Sequence, residues 1–175
     1  MNQPFDPKPI PSPVEQMDAE KARLSLQMKN SAKNFYWIAG LSFINSLITA
    51  FGGQFYLVMG LASTLFVDYF AVGMTDGAPE LKLVFTGIAL FISLIISGIT
   101  ALFGFLAIKG MRWSFVLGMV LYGVDTVIML ALQEWKGVII HLFFLYALFT
   151  GLRAMNQLKK LEAKPQSDFP QNIGD

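Results

Sequence analysis

Two long apolar runs joined by five residues constrain this chain more than any other feature. From Trp113 it reads WSFVLGMVLYGVDTVIMLAL, then QEWKG, then VIIHLFFLYALFTGLR, ending at Arg153. Helices of this length and apolarity suit a bilayer core of about 30 Å, and so short a link makes them an antiparallel hairpin. The composition agrees. Hydrophobic residues make up 54% of the chain and charged ones 14%, where a soluble domain carries about a quarter charged.

The residue inventory removes several chemistries. There is no cysteine, which excludes thiolate metal sites and cysteine nucleophiles, and the single histidine, His141, excludes a multi-histidine metal site within one chain. No HExxH, GxGxxG or phosphate loop is present. No metal and no cofactor are expected. The basic residues cluster at helix ends, where topology accounts for them, so nucleic acid is not an expected partner.

Residues 1–13 hold five of the eight prolines and read as a solvated, disordered tail. Ser12-Pro13-Val14-Glu15 then has the spacing of a capping box with proline in the first turn. The helix predicted over 14–33 carries Val14, Met17, Lys21, Leu24 and Met28 on one stripe. Lying on an anionic membrane surface and extending the first span into the cytoplasm are both open to it. The first apolar run begins only at Phe35, with no small-residue cleavage site after it, so it is expected to remain as a span.

The fold class that follows is an all-α membrane protein, a four-transmembrane-helix bundle with an N-terminal amphipathic helix and an outer interfacial or re-entrant helix. The membrane domain covers 34–158, with spans at about 35–52, 83–108, 113–132 and 137–153. The tail 159–175 is cytoplasmic. Small residues (Gly40, Ser42, Ser46 and Ala50; Ser93, Ser97 and Ala101; Gly98, Thr100 and Gly104) form ridges suited to close helix packing.

Residues 55–74 are long enough to span, but charge argues against it. If they do not cross, the Lys and Arg residues divide 11 to 2, the minority being Lys82 and Lys136; if they cross, the division is 7 to 6. The positive-inside rule selects the first, with both termini cytoplasmic. The run is then a half-inserted outer helix, a structural plug or a lid over an outward cavity. Its apolar face is expected at Phe55, Val58, Leu61, Ala62, Leu65, Phe66 and Tyr69, with Gly60, Ser63, Thr64 and Asp68 opposite.

Four residues stand out as ligand- or proton-binding candidates: Asp125, Tyr122, Asn45 and His141. Counted from the expected outer helix ends, Asp125 lies about 12 Å down, Asn45 about 10 Å and His141 about 6 Å. The difference favours Asp125 with Tyr122, one turn away, and Asn45 over a direct Asp125–His141 bond. An acid at this depth either serves a binding site or locks the bundle through hydrogen bonds. The absence of a second intramembrane acid and of a relay favours the lock. His141 reads as a polar residue at the boundary. A Ser42–His141 hydrolase dyad is the weakest reading, because Ser42 is placed about 15 Å down, well below the histidine. No catalytic residue is assigned.

The segments FYWIAGLSFINSL, RWSFVLGMVLYGVDTVIML and HLFFLYALFTGLRA resemble a group of small bacterial polytopic membrane proteins with no assigned function. That resemblance implies a multi-pass protein of the bacterial cytoplasmic membrane and carries over no site residue. The function expected is a non-enzymatic structural or accessory subunit, packing with itself or within a larger membrane complex. A small transporter or ligand-binding protein using the Asp125 cluster is the alternative.

Overall fold

The computed structural model describes residues 11–53, 57, 60–77 and 79–163, so the leader 1–10, parts of the 54–59 segment and the tail beyond 163 lie outside it. Among the described residues the chain is helical with no strand. Helices α1 (Pro13–Ala32) and α2 (Asn34–Ala50) are followed by α3 (Ala62–Gly77), α4 (Lys82–Ile108), α5 (Arg112–Ala131) and α6 (Trp135–Glu162). A single 3₁₀ turn, Pro79–Leu81, leads into α4.

Three helical stretches are long and apolar enough to cross a membrane: Pro79–Ile108, Arg112–Ala131 and Trp135–Glu162. Large apolar side chains such as Trp37, Leu83, Phe91 and Phe143 point outward, a surface that lipid accommodates and water does not. This is an all-helical membrane protein. Helix α2, at 17 residues, reaches about 25 Å and falls short of a 30 Å core by itself. It is nearly continuous with α1, because Lys33 between them keeps helical dihedrals.

The capping box is formed: Glu15 N donates to Ser12 Oγ at 3.3 Å, and Ser12 N donates to Glu15 Oε2 at 2.7 Å. Beyond it, α1 does not lie alone. It packs along the C-terminal half of α6, burying Leu24 and Met28 with Leu148, Ala154 and Met155. Gly151 makes the approach possible, since a Cβ there would collide with Ser31, whose hydroxyl donates to the Ala147 carbonyl. The helix thus extends α2 almost without a break and packs as a two-helix stalk with α6.

The helix ends explain the tight links. Gly52 and Gly110 take positive φ after α2 and α4, as does Gln133 (φ 58°) after α5. Each accompanies the paired backbone bonds of a Schellman stop, for example Gln133 N to Leu130 O and Glu134 N to Met129 O. In consequence α5 ends at Ala131 and α6 starts at Trp135, one and two residues from the expected 132 and 137.

Helix α3 runs antiparallel to α4 and packs on it and on α2. The expected apolar stripe is divided: Leu61, Ala62 and Leu65 are buried with the polar Thr64 and Asp68, while Phe66 and Tyr69 of the same stripe face outward, as does Phe70. The physical reason is lipid: polar groups must find partners inside the protein, and aromatic side chains are at no loss outside it. The helix also begins at Ala62, seven residues after Phe55.

Candidate functional site

A chain that leaves helical form inside an apolar bundle must satisfy each backbone group it exposes there, because lipid offers none of the bonds that water would. The segment leading into α3 does this with side chains from α2 and α5. Asn45 clamps Leu57 at both backbone atoms, Nδ2 donating to Leu57 O at 2.8 Å and Oδ1 accepting from Leu57 N at 2.6 Å. Ser42 Oγ accepts from Leu61 N at 2.7 Å while donating to Ile38 O at 2.6 Å. Gly60 lets the segment press against α2, where a Cβ would collide with the Asn45 amide.

Asp125 completes the set from α5. Its Oδ2 accepts from Ala62 N at 2.6 Å and its Oδ1 from Ser63 N at 2.9 Å, so the carboxyl caps the N-terminus of α3 from another helix. Both its charge and its acceptors match the first orphan N–H groups and positive dipole end found there. His141 closes the arrangement from α6, with Nε2 at 3.0 Å from Asp125 Oδ2. Its Nδ1 lies 2.8 Å from Gly137 O. A carbonyl only accepts, so Nδ1 carries a proton and donates it to that bond. One further proton lies between Nε2 and Oδ2, and the pair is neutral as a unit wherever that proton sits. Tyr122 stacks on the imidazole, with ring centroids 4.7 Å apart and planes 12° from parallel.

Four expectations about these residues are corrected by this geometry. Asp125 and His141 are bonded, because depths counted from Gln133 and Gly137 start two residues away from the true helix ends. Counted from Ala131 and Trp135 each sits six residues in, about 9 Å. Asn45 does not join them; it holds Leu57. Tyr122 gives Asp125 no hydrogen bond, since its hydroxyl is buried without a partner and the ring works by stacking. His141, with 0% of its surface exposed, is a core residue and not a boundary one. Both of its nitrogens are engaged elsewhere than with Ser42.

Comparison with protein-family models, with curated proteins and with solved structures yields no match, so the geometry alone carries the functional argument.

Beside the latch lies an apolar cavity of about 300 Å³ between α4 and α5, bordered by Ser63, Thr100, Tyr122 and Asp125 and otherwise by aliphatic and phenylalanine side chains. Gly118 and Phe103 meet the Phe35 ring at its base. Among the described residues no three His, Cys, Asp or Glu side chains cluster in the manner of a metal site.

A second buried acid accompanies Asp125. Asp68 on α3 is 4% exposed and accepts from Ser93 Oγ at 3.3 Å through Oδ1. Its sequence signal was the polar stripe of Thr64 and Asp68 one turn apart in an otherwise apolar run. That stripe reads as a solvated face until α3 is known to stand in the bundle.

Proposed function

We propose that the protein is a non-enzymatic subunit of the bacterial cytoplasmic membrane, a structural or accessory component packing with itself or with a larger membrane complex. In this reading α2, α4, α5 and α6 form four spans, α3 is a re-entrant plug on the outer side, and the α1–α6 stalk projects with both termini into the cytoplasm. The charge division of 11 to 2 supports that orientation, and the resemblance to small bacterial polytopic proteins supports the membrane. Ser42, Asn45 and Asp125 are engaged in holding the start of α3, which leaves Asp125 no free oxygen with which to act on a substrate.

One observation carries the accessory role. Gly87 and Gly98 lie eleven residues apart on α4, hence on one helix face, and a Cβ at either would meet nothing within 4 Å. A glycine inside a helix costs about 1 kcal/mol relative to alanine. Gly104, Gly118 and Gly151 return that cost through close contacts within the chain, whereas Gly87 and Gly98 do not. Small outward residues on a spanning helix suit the close approach of another helix.

Cross-linking tests it in a background with no native cysteine. A cysteine at Phe91, on the same face, is expected to form a disulfide-linked dimer or a heavier adduct in native membranes. Gly87→Leu with Gly98→Leu should abolish it. A monomer in mild detergent together with no adduct in membranes would refute the proposal.

A second reading, a ligand-binding membrane protein, is favoured by the cavity beside Tyr122 and Asp125. Saturable binding of a spin-labelled fatty acid, lost when Thr100→Trp fills the space, would select it over the first. Equal partitioning of the label into wild type and variant would dismiss it.

A further inference from the structure

Asp68 differs from Asp125 in one respect that matters for chemistry. Asp125 has both oxygens engaged, while Asp68 Oδ2 is buried with no hydrogen-bond partner among the described residues. A buried carboxyl oxygen left without a donor is costly, and an intramembrane acid of this kind marks a site more often than a strut.

Asp68 sits among three hydroxyl-bearing residues and an otherwise aliphatic wall of Ala50, Ala71, Val72, Ala89 and Leu90. Together with Ser46, Thr49 and Thr86 it lines a cavity of about 20 Å³ between α2, α3 and α4. A space of that size holds one water molecule or one small ion. None of the residues lining it is basic, and among the described residues Asp68 forms no ion pair. The C-terminal end of α2, at Thr49 and Ala50, forms part of the wall. There the negative pole of the helix dipole adds to the attraction for a cation.

We propose that Asp68, Ser46, Thr49 and Thr86 form a binding site for a single sodium ion. Hydroxyl and carboxylate oxygens are hard ligands, suited to hard cations. The charge balance selects a monovalent one: a single carboxylate neutralises one positive charge, and a divalent ion would leave a net charge in a medium where unpaired charge is expensive. An anionic carboxylate is a high-field ligand, which favours the smaller and harder sodium ion over potassium. Asp68 Oδ2 supplies the anionic ligand, and the three hydroxyl residues supply neutral oxygens.

The site is tested with the full-length protein in nanodiscs, using sodium, potassium and choline chlorides at constant ionic strength. Sodium is expected to raise the midpoint of thermal unfolding saturably, with potassium and choline giving no comparable effect, and radioactive sodium should bind at one equivalent per chain. Asp68→Asn should abolish both responses, and Thr86→Val should raise the apparent dissociation constant about tenfold. Glu134→Gln, away from the cavity, should change neither. Absence of any sodium-specific binding by the wild type would overturn the proposal, whatever the variants do. So would a sodium response retained in Asp68→Asn. If Asp68→Asn fails to fold, an unchanged dissociation constant in Thr86→Val overturns it as well.

Discussion

Replacing Asp125 by alanine removes the acceptor for three donors at once: Ala62 N, Ser63 N and His141 Nε2. A buried donor left unpaired costs about 1–3 kcal/mol. The three do not add, because His141 can lose its Nε2 proton and α3 can shift, so the expected loss is about 3–5 kcal/mol, as for a buried pair broken on one side. Asparagine is the informative comparison. Its amide presents one oxygen and one NH₂ group to two backbone N–H donors, so in either orientation one donor faces another. Asp125→Asn is therefore expected to lose about 1–3 kcal/mol, less than alanine but more than a surface change. The assay is equilibrium unfolding of the solubilised protein, with maleimide labelling of a cysteine at the buried Leu65 to report local undocking of α3. Labelling should accelerate in both variants, more in alanine. An Asp125→Ala protein within about 0.5 kcal/mol of wild type, the range of an ordinary surface substitution, would refute the latch.

Other consequences follow from single contacts. Gln133→Gly relieves a left-handed conformation that glycine adopts freely, and should stabilise the protein by about 1 kcal/mol, measured as a higher unfolding midpoint. Gly151→Val places branched atoms against Ser31 and should part α1 from α6. Limited proteolysis within 13–32 would then accelerate while the spans stay protected, and unchanged cleavage would contradict the stalk packing. Glu15, exposed in solvent, is held below its ordinary carboxyl range chiefly by the Ser12 backbone N–H and then by its hydroxyl. A lowered folded-state value means that this support is complete above the ordinary value and is lost as pH falls through the lowered one. Amide exchange in the first turn of α1 should accelerate over that acidic window, and Glu15→Gln should remove the dependence.

The long helices were legible because each apolar run stops at residues that stop helices: Gly52 and Gly53, Lys109 and Gly110, Gln133 and Glu134. The capping box at Ser12 was legible because four consecutive residues decide it. The partners of Asp125 were not. They depended on two helix ends, and two residues of error at each produced a false depth difference of about 6 Å, enough to separate a bonded pair. The faces of α3 were legible only in part, for a different reason. A period of 3.6 residues shows that a helix has two faces but not which solvent each meets, and in lipid Thr64 and Asp68 turn inward beside Leu61 and Leu65 while Phe66 and Tyr69 turn outward. Ser42 reads as a helix-packing residue and Asn45 as a member of the Asp125 group; both serve instead as backbone partners for the segment before α3, a role visible only once that segment is beside them.

The two buried acids divide the work of the bundle, and the division makes a prediction of its own. Asp125 fixes where α3 begins, at Ala62 and Ser63. Asp68 lies six residues later, about 9 Å along the same helix, facing Ser93. A helix fixed at its first turn has little freedom in position or rotation at its second, so the latch determines whether Asp68 meets the hydroxyls of α2 and α4. Loosening the latch should then weaken sodium binding without touching a ligand: Asp125→Asn is expected to raise the apparent dissociation constant, whereas Asp68→Asn should leave labelling at Leu65 close to wild type in sodium-free buffer. Binding unaffected by Asp125→Asn, in a protein whose α3 labels faster, would separate the two acids and show that the cavity holds its shape without the cap.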